Sequence, residues 1–134
     1  MTDCIFCKIA NGEIPSATIY EDEDFRVILD VAPASCGHVL ILPKVHFKDL
    51  YEMPEALLQK VMVLAKKIGT NIKQSLQCDG LNVLQNNEVV AGQTVFHFHV
   101  HLIPRYENDD IQIKWTAGQL TDDDKDSILA KLLS

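Results

Sequence analysis

Residues 96–102 read Phe-His-Phe-His-Val-His-Leu, with a histidine at every second position. Side chains alternate between the two faces of a β-strand, so His97, His99 and His101 would share one face. The alternation extends from Thr94 to Ile103, which predicts the longest strand of the chain. On the opposite face of this strand we expect apolar side chains that pack on the core, namely Phe96, Phe98, Val100 and Leu102.

Three interpretations of this histidine row follow from the residues themselves. The row is an exposed polar face, a zinc site formed by His97, His99 and His101, or a site where imidazoles act as nucleophile, acid or base near neutral pH. A buried imidazole needs hydrogen-bond partners or access to water, which apolar packing does not supply. The row therefore favours a chemical site, and the choice between metal and imidazole chemistry stays open.

The rest of the chain predicts an α+β fold. Short β-favouring runs lie at residues 17–20, 25–29, 38–42 and 81–85. A long helix is predicted from Glu55 to Ser75, because its apolar residues recur at spacings of three and four: Leu57, Leu58, Val61, Met62, Ala65, Ile68 and Ile72. A second helix is predicted at residues 122–133, with Thr121 as its N-cap. Strands, a helix and more strands with short connections indicate an antiparallel sheet.

Length and composition restrict the class of protein. The chain has 134 residues, which is the size of one ordinary domain, and 47% of them are hydrophobic. Its net charge is −7 and no basic cluster is present, so we expect no binding to nucleic acid. We find no apolar run of the ~18–20 residues that cross a membrane and no leader-like start, so a cytoplasmic protein without a membrane partner is expected.

Four stretches together resemble the histidine triad (HIT) family, in particular its Hint-like, bacterial-type branch. His97–Ile103 matches the family motif of histidines alternating with apolar residues. The other stretches are Cys4–Pro15, Gly37–Lys44 with His46, and Gln85–Asn87 leading to Gly92–Val95. The matches cover residues 4 to about 106 of a single predicted domain, and the tail at 107–134, with Trp115, lies outside them. The resemblance implies a sheet of about five antiparallel strands with a long helix, and a homodimer whose sheets join edge to edge.

The resemblance also implies an activity, the cleavage at the α-phosphate of purine nucleotide conjugates such as adenosine phosphoramidates. His99 matches the nucleophile that forms a nucleotidyl–histidine intermediate, and His101 matches a phosphate contact that protonates the leaving group. Other implied phosphate contacts are Asn86, Gly92, Gln93 and Thr94, with backbone amides around Gly92, Gln93 and Val95 as oxyanion donors. The implied nucleoside contacts are Ile5, Phe6, Ile9 and Ile28 for the base and Asp30 for the ribose hydroxyls.

Zinc is the expected cofactor. In related HIT proteins with a Cys-x-x-Cys pair, the resemblance implies a closed structural zinc site, here formed by Cys4, Cys7, His46 and His97. His38 is expected to be structural. Two alternative functions remain, a dinucleoside polyphosphate hydrolase as in the Fhit branch, which would use the same nucleophile, and a nucleotide sensor or interaction protein without catalysis.

Overall fold

The computed structural model of the protein describes residues 3–134. Five strands and three α-helices follow one another in this part of the chain: α1 (Ile5–Ala10), β1 (Thr18–Glu21), β2 (Phe25–Leu29), β3 (Val39–Pro43), α2 (Glu55–Leu76), β4 (Gly80–Leu84), β5 (Val100–Arg105) and α3 (Asp122–Leu132). The strands form one sheet in the order β1-β2-β3-β5-β4, and all neighbouring strands are antiparallel. The predicted α+β fold with an antiparallel sheet and a long helix is therefore confirmed.

The two faces of the sheet carry different helices. Helix α2 packs on one face, where Val61, Leu64, Ala65, Ile68 and Ile72 are buried against side chains from β2, β3 and β5. The short helix α1 covers the other face, where Ala10 packs with Ile28, Leu40 and Leu42. Met62, which we expected on the buried face of α2, is 56% exposed instead, because it lies at the flank of the helix near the edge strand β4.

Strand β5 is shorter at its start than the sequence predicts. It begins at Val100, so residues 94–99, including His97 and His99, precede the sheet. In the register of β3 and β5, Ile41 faces Val100, and continuing the pairing would bring Pro43 opposite Phe98. Proline has no N–H to donate to a ladder, and the N–H of Phe98 donates instead to the carbonyl of Phe47 at 2.6 Å.

The expected burial of the apolar residues in this segment is mostly confirmed. Phe98, Val100 and Leu102 lie in the main core. Phe96 does not pack in the core and is 42% exposed, since it stands in the irregular segment before β5. The alternation thus predicts the burial of Val100 and Leu102 within β5 and of Phe98 before it, but not the exposure of Phe96.

The C-terminal arm, residues 112–134, is exposed along its whole length. Its starting point is tied to the sheet by Arg105, which makes a bidentate ion pair with Asp109 at 2.8 and 2.9 Å and also donates to the carbonyl of Ile111. Thr121 caps α3 as predicted, with its hydroxyl accepting from the N–H of Asp124. Helix α3 has no buried residue, and Trp115 is 84% exposed. Among the described residues, none of the helices has the length and apolar character needed to cross a membrane.

Candidate active site

Helix α1, which the sequence patterns did not predict, brings the N-terminal segment to the histidines. The side chain of Cys4 caps the helix by accepting from the N–H of Cys7 at 3.3 Å. Within the first turn of the helix, the ring of Phe6 stands edge-on to both His97 and His99, with ring centroids 6.2 and 4.9 Å away. A helix of six residues is too short to show a clear period, which explains why it was missed.

A cavity of about 340 Å³ opens between α1, β2 and the segment before β5. Many of the residues expected to bind a nucleotide line it, namely Phe6, Ile9, Ile28, Asp30, Thr94, Val95, His99 and His101. Ile5 is the exception among the expected base contacts. It is half exposed and lies in a neighbouring open groove with His46 and Phe96.

His99 has one ring nitrogen bound and one free. Its Nδ1 lies 2.7 Å from the carbonyl oxygen of His97. A carbonyl can only accept, so Nδ1 carries the proton and Nε2 keeps its lone pair. The ring is 7% exposed, and burial lowers its pKa below the ordinary value of 6.5. His99 is therefore a neutral imidazole with a nucleophilic Nε2 at neutral pH.

His101 carries its ring proton on Nε2, unlike His99, because of its contact with His38. The N–H of Ala34 donates to Nδ1 of His38 at 2.9 Å, so the proton of the neutral His38 ring is on Nε2. That Nε2 lies 2.9 Å from Nδ1 of His101 and 3.6 Å from Oδ2 of Asp30. His101 accepts at Nδ1 and carries its own proton on Nε2. Burial, together with His99 and His38, lowers the pKa of His101 to about 4.

Asp30, His38 and His101 also lie close enough together to resemble a metal site. The hydrogen bonds argue against this interpretation. A metal ion on Nε2 of neutral His38 would require the ring proton on Nδ1, where the N–H of Ala34 already points. Instead, His38 is hydrogen-bonded to His101, and the carboxylate of Asp30 lies just beyond hydrogen-bond distance of the same nitrogen. His38 was expected to be structural, and its contact with a residue of the histidine row was not predicted.

The loop between β4 and β5 carries the other residues expected at the phosphate, Asn86, Gly92 and Gln93, none of which lines the cavity. The amide of Asn86 donates to the carbonyl of Gly92 at 3.4 Å. The N–H groups of Gly92 and Gln93 are already used, since they donate to the carbonyls of Val89 and Glu88. Within residues 3–134, the N–H groups of Thr94 and Val95 make no such bond, and both residues line the cavity. Of the expected backbone donors, the N–H groups of Gly92 and Gln93 are thus engaged. The N–H of Val95 is free, together with that of Thr94.

A second cluster lies on the other side of Phe6. Cys4, Cys7, His46 and His97 offer four ligand atoms within 4.8 Å of one another. Nδ1 of His97 lies 3.4 Å from both sulfurs, and Nδ1 of His46 lies 3.3 Å from Sγ of Cys7. The other nitrogen of His97, Nε2, donates to the carbonyl of Pro43 at 2.8 Å, which leaves Nδ1 as a ligand. His97 thus lies with the cysteines, apart from His99 and His101.

Comparison with known proteins agrees with this geometry. A family model described as the HIT domain matches residues 11–108 of the chain. The chain belongs to the HIT family. It is 42% identical over 135 residues to the adenosine 5′-monophosphoramidase of Saccharomyces cerevisiae, an alignment that covers 96% of this chain and 82% of the yeast protein.

Solved HIT structures share the fold. A HIT family protein from Bacillus subtilis superposes with a TM-score of 0.91 at 38% identity, covering 98% of this chain and 95% of the other. A zinc-bound histidine triad family protein from Mycobacterium smegmatis superposes with a TM-score of 0.78 at 34% identity, covering 98% and 96%. The resemblance to the HIT family and the HIT fold that it implied are therefore confirmed.

The Cys/His cluster of this HIT protein is compatible with zinc. With bond lengths of about 2.3 Å to sulfur and 2.0–2.1 Å to nitrogen, the sulfur and nitrogen ligands of tetrahedral zinc lie about 3.5 Å apart, close to the separations in the cluster. Burial and the neighbouring Cys4 raise the pKa of the Cys7 thiol to about 11. A bound cation would reverse this preference and favour the thiolate.

Proposed function

We propose that the protein hydrolyses purine nucleotide conjugates of the phosphoramidate type, with Nε2 of His99 as the nucleophile. Nucleotide hydrolysis of the HIT type is supported by the family and by the relative from yeast. The observation that carries the finer proposal is the hydrogen bond from Nδ1 of His99 to the carbonyl of His97, which leaves Nε2 free in a residue that lines the cavity. An activated imidazole is a competent nucleophile toward phosphorus.

The reaction would proceed in two steps. Nε2 of His99 attacks the α-phosphorus, and the bond from phosphorus to the leaving nitrogen breaks. The departing amine needs one proton. Because the charge of a bound phosphate favours the imidazolium form, His101 would take up one proton from solvent as the substrate binds, and would then give its Nε2 proton to that nitrogen. His101 is then neutral with a lone pair on Nε2, and takes a proton from the water that cleaves the nucleotidyl–histidine bond.

His38 has two acceptors for its ring proton during this cycle. In the resting protein its Nε2–H faces Nδ1 of His101 at 2.9 Å. When His101 carries a proton on Nδ1, the carboxylate of Asp30, 3.6 Å away, is the remaining acceptor. His38 would thus donate its Nε2–H to His101 when His101 is neutral and to Asp30 when His101 is charged, without touching the substrate.

Substrate binding would divide along the cavity. Phe6, Ile9 and Ile28 form the apolar part and would hold the purine. Asp30 would accept from the ribose hydroxyls. Its Oδ1 already accepts from the N–H of Ala32 at 2.9 Å, so its remaining lone pairs are the ones available. Thr94, Asn86 and the free N–H groups of Thr94 and Val95 would face the phosphate.

The experiment that tests this proposal is the intact mass of the protein after brief incubation with adenosine 5′-phosphoramidate. We expect a transient adduct of one adenylyl group that is absent from His99→Ala and present in Asp24→Asn, a control at the end of β2 far from the cavity. Native-rate hydrolysis by folded His99→Ala would contradict the proposal. Faster cleavage of a dinucleoside polyphosphate would favour that substrate class, and AMP binding without an adduct or turnover would favour a sensor.

We also propose that the Cys/His cluster holds one structural zinc ion per chain, with Cys4, Cys7, His46 and His97 as ligands. The separations between these atoms and the relative with bound zinc support the assignment. When bound, zinc would supply a closed tetrahedral tie between α1 and the segment before β5, without a position for substrate. Phe6, which contacts His97 and His99, would then be held in place at the wall of the cavity.

Finally, we propose that two copies of the chain form a dimer. Strand β4 is an edge of the sheet, with Val83 49% exposed, and the adjoining flank of α2 exposes Met62. An unpaired edge with apolar neighbours is a surface that pairing with a second sheet would cover. Light scattering should give twice the mass of one chain, and a mass of 15.0 kDa in dilute solution would contradict the dimer.

A further inference from the structure

The side chain of Gln93 is buried beside the expected phosphate site, yet it has no free N–H for a ligand. Its Oε1 accepts from the N–H of Glu88 at 2.7 Å. Its Nε2 donates to the carbonyls of Lys48 at 2.7 Å and of Val95 at 3.3 Å. A primary amide has two N–H groups, and both are used within the chain. At 2% exposure, Gln93 cannot donate to a phosphate without breaking one of these bonds.

Glu88, the residue that Gln93 holds, has an unusual backbone conformation. Its φ of 74° and ψ of 158° fall in a region that glycine adopts readily and other residues avoid. Such a conformation persists only where the surroundings hold it. Here the N–H of Glu88 is held by Gln93, and its carbonyl accepts from the N–H groups of Ala91 and Gln93 at 3.1 Å each.

The strained residue stands in the middle of the loop that would face the phosphate, residues 86–95. Asn86 precedes it and donates to the carbonyl of Gly92. The fit at Gly92 is close, because a Cβ there would lie 3.3 Å from Nδ2 of Asn86. Gln93 joins this turn to Lys48 on one side and to Val95 on the other. A change in the backbone of Glu88 would therefore move Asn86 relative to the N–H groups of Thr94 and Val95.

We propose that Gln93 is a positioning residue and not a phosphate ligand. It holds Glu88 in its strained conformation, and thereby keeps Asn86 and the free N–H groups of Thr94 and Val95 aimed at one anionic group. The identity of that group as a nucleotide phosphate rests on the proposed function. We call the hold of Gln93 on Glu88 the latch. The evidence for the latch is the hydrogen bonds of Gln93 and the backbone conformation of Glu88.

The test is a rescue experiment on kcat/KM for adenosine 5′-phosphoramidate. Gln93→Ala should lower kcat/KM about a hundredfold, the loss that a misplacement of the reacting groups by about 1 Å can cause. Adding Glu88→Gly should recover most of this loss, because glycine adopts the required angles without strain. Glu88→Ala is the matched control. It also removes the carboxylate but keeps the backbone restriction, so it should recover nothing.

Two kinetic results would overturn the proposal. Wild-type kcat/KM in Gln93→Ala would show that the latch is not needed. A loss that Glu88→Gly leaves unchanged would indicate that Gln93 itself contacts the substrate.

Amide hydrogen exchange tests the latch without any substrate. The N–H groups of residues 91 and 93, which donate to the carbonyl of Glu88, should be protected in the wild type, exposed in Gln93→Ala, and protected again when Glu88→Gly is added. The N–H of residue 88 should lose protection in both variants, because its acceptor is the side chain of Gln93. Unchanged protection in Gln93→Ala would overturn the latch. Failure of the proposed function is a separate outcome, in which the wild type shows this exchange pattern but neither hydrolyses the phosphoramidate nor forms an adduct.

Discussion

Replacing Asp30 by asparagine tests the ribose site and can be given a magnitude. The carboxylate is largely enclosed, with 19% side-chain exposure, and one oxygen is already bound to the N–H of Ala32. Hydrogen bonds to a charged group contribute about 1.5–3 kcal/mol each. Asparagine keeps one acceptor oxygen but loses the charge and places an amide NH2 group, a donor, where the second acceptor was. We expect a loss of about 2 kcal/mol, or about thirtyfold in kcat/KM.

The assay compares two substrates on each protein, adenosine 5′-phosphoramidate and its 2′,3′-dideoxy analogue. The wild type should prefer the ribose substrate, and Asp30→Asn should lose about thirtyfold on that substrate and little on the dideoxy one. Asp24→Asn, a surface change at the far end of β2 that breaks an ion pair with Lys60, is the control and should change neither.

A second readout follows from the electrostatics of the same site. Burial lowers the pKa of His38, and the charge of Asp30 partly opposes this effect. Asp30→Asn should therefore lower the pKa of His38 further, which NMR titration of the ring would detect. An equal loss of kcat/KM on both substrates would refute the ribose assignment, because the missing interaction would then not involve the hydroxyls.

Three further predictions concern the rest of the molecule. The purified protein should contain one zinc ion per chain by mass spectrometry, and Cys7→Ser should reduce both the zinc content and the Tm. Cys78→Ser, a change at a buried cysteine outside the cluster, should keep the metal, and equal zinc content in the two variants would contradict the site. The pKa of His101 is lowered from 6.5 to about 4, so between these pH values the unfolded chain binds a proton at His101 and the folded chain does not. Stability should therefore fall as the pH drops from 6.5 toward 4. A Tm that falls as much in His101→Gln as in the wild type would argue against this origin. Removal of residues 112–134 should leave the free energy of unfolding of the monomer almost unchanged, since α3 buries no residue, and a loss of several kcal/mol in urea unfolding would show that the C-terminal arm packs on its own chain.

The elements that the sequence predicts well are those set by local patterns. The spacing of apolar residues predicts a helix at 55–75, and α2 ends one residue later at Leu76. The β2 strand has the predicted bounds, because an acidic turn and a short β-favouring run are both local signals. Met62 shows the limit of the same reasoning. Periodicity identifies an apolar face, and only the width of the sheet beneath it decides which flank is covered.

The start of β5 shows a different limit. The alternation of residues 94–99 is typical of a strand, yet the pairing partner ends at Pro43, which lacks the N–H that would extend the ladder. This information lies far from the histidines in the sequence. The same is true of His97, whose Nε2 bonds a carbonyl that is 54 residues away. The resemblance to HIT proteins indicated most of the cavity residues, but not which nitrogen of each ring carries the proton.

Two main-chain carbonyls determine how two chemically identical side chains, those of His97 and His99, are protonated. The carbonyl of Pro43 fixes the ring proton of His97, and the carbonyl of His97 fixes that of His99. No mutation can delete a carbonyl, since every residue type contributes one. Substitutions around the histidines that keep the path of the backbone would therefore leave the ring protons of His97 and His99 on the same nitrogens. Comparison of side chains alone would overlook this control.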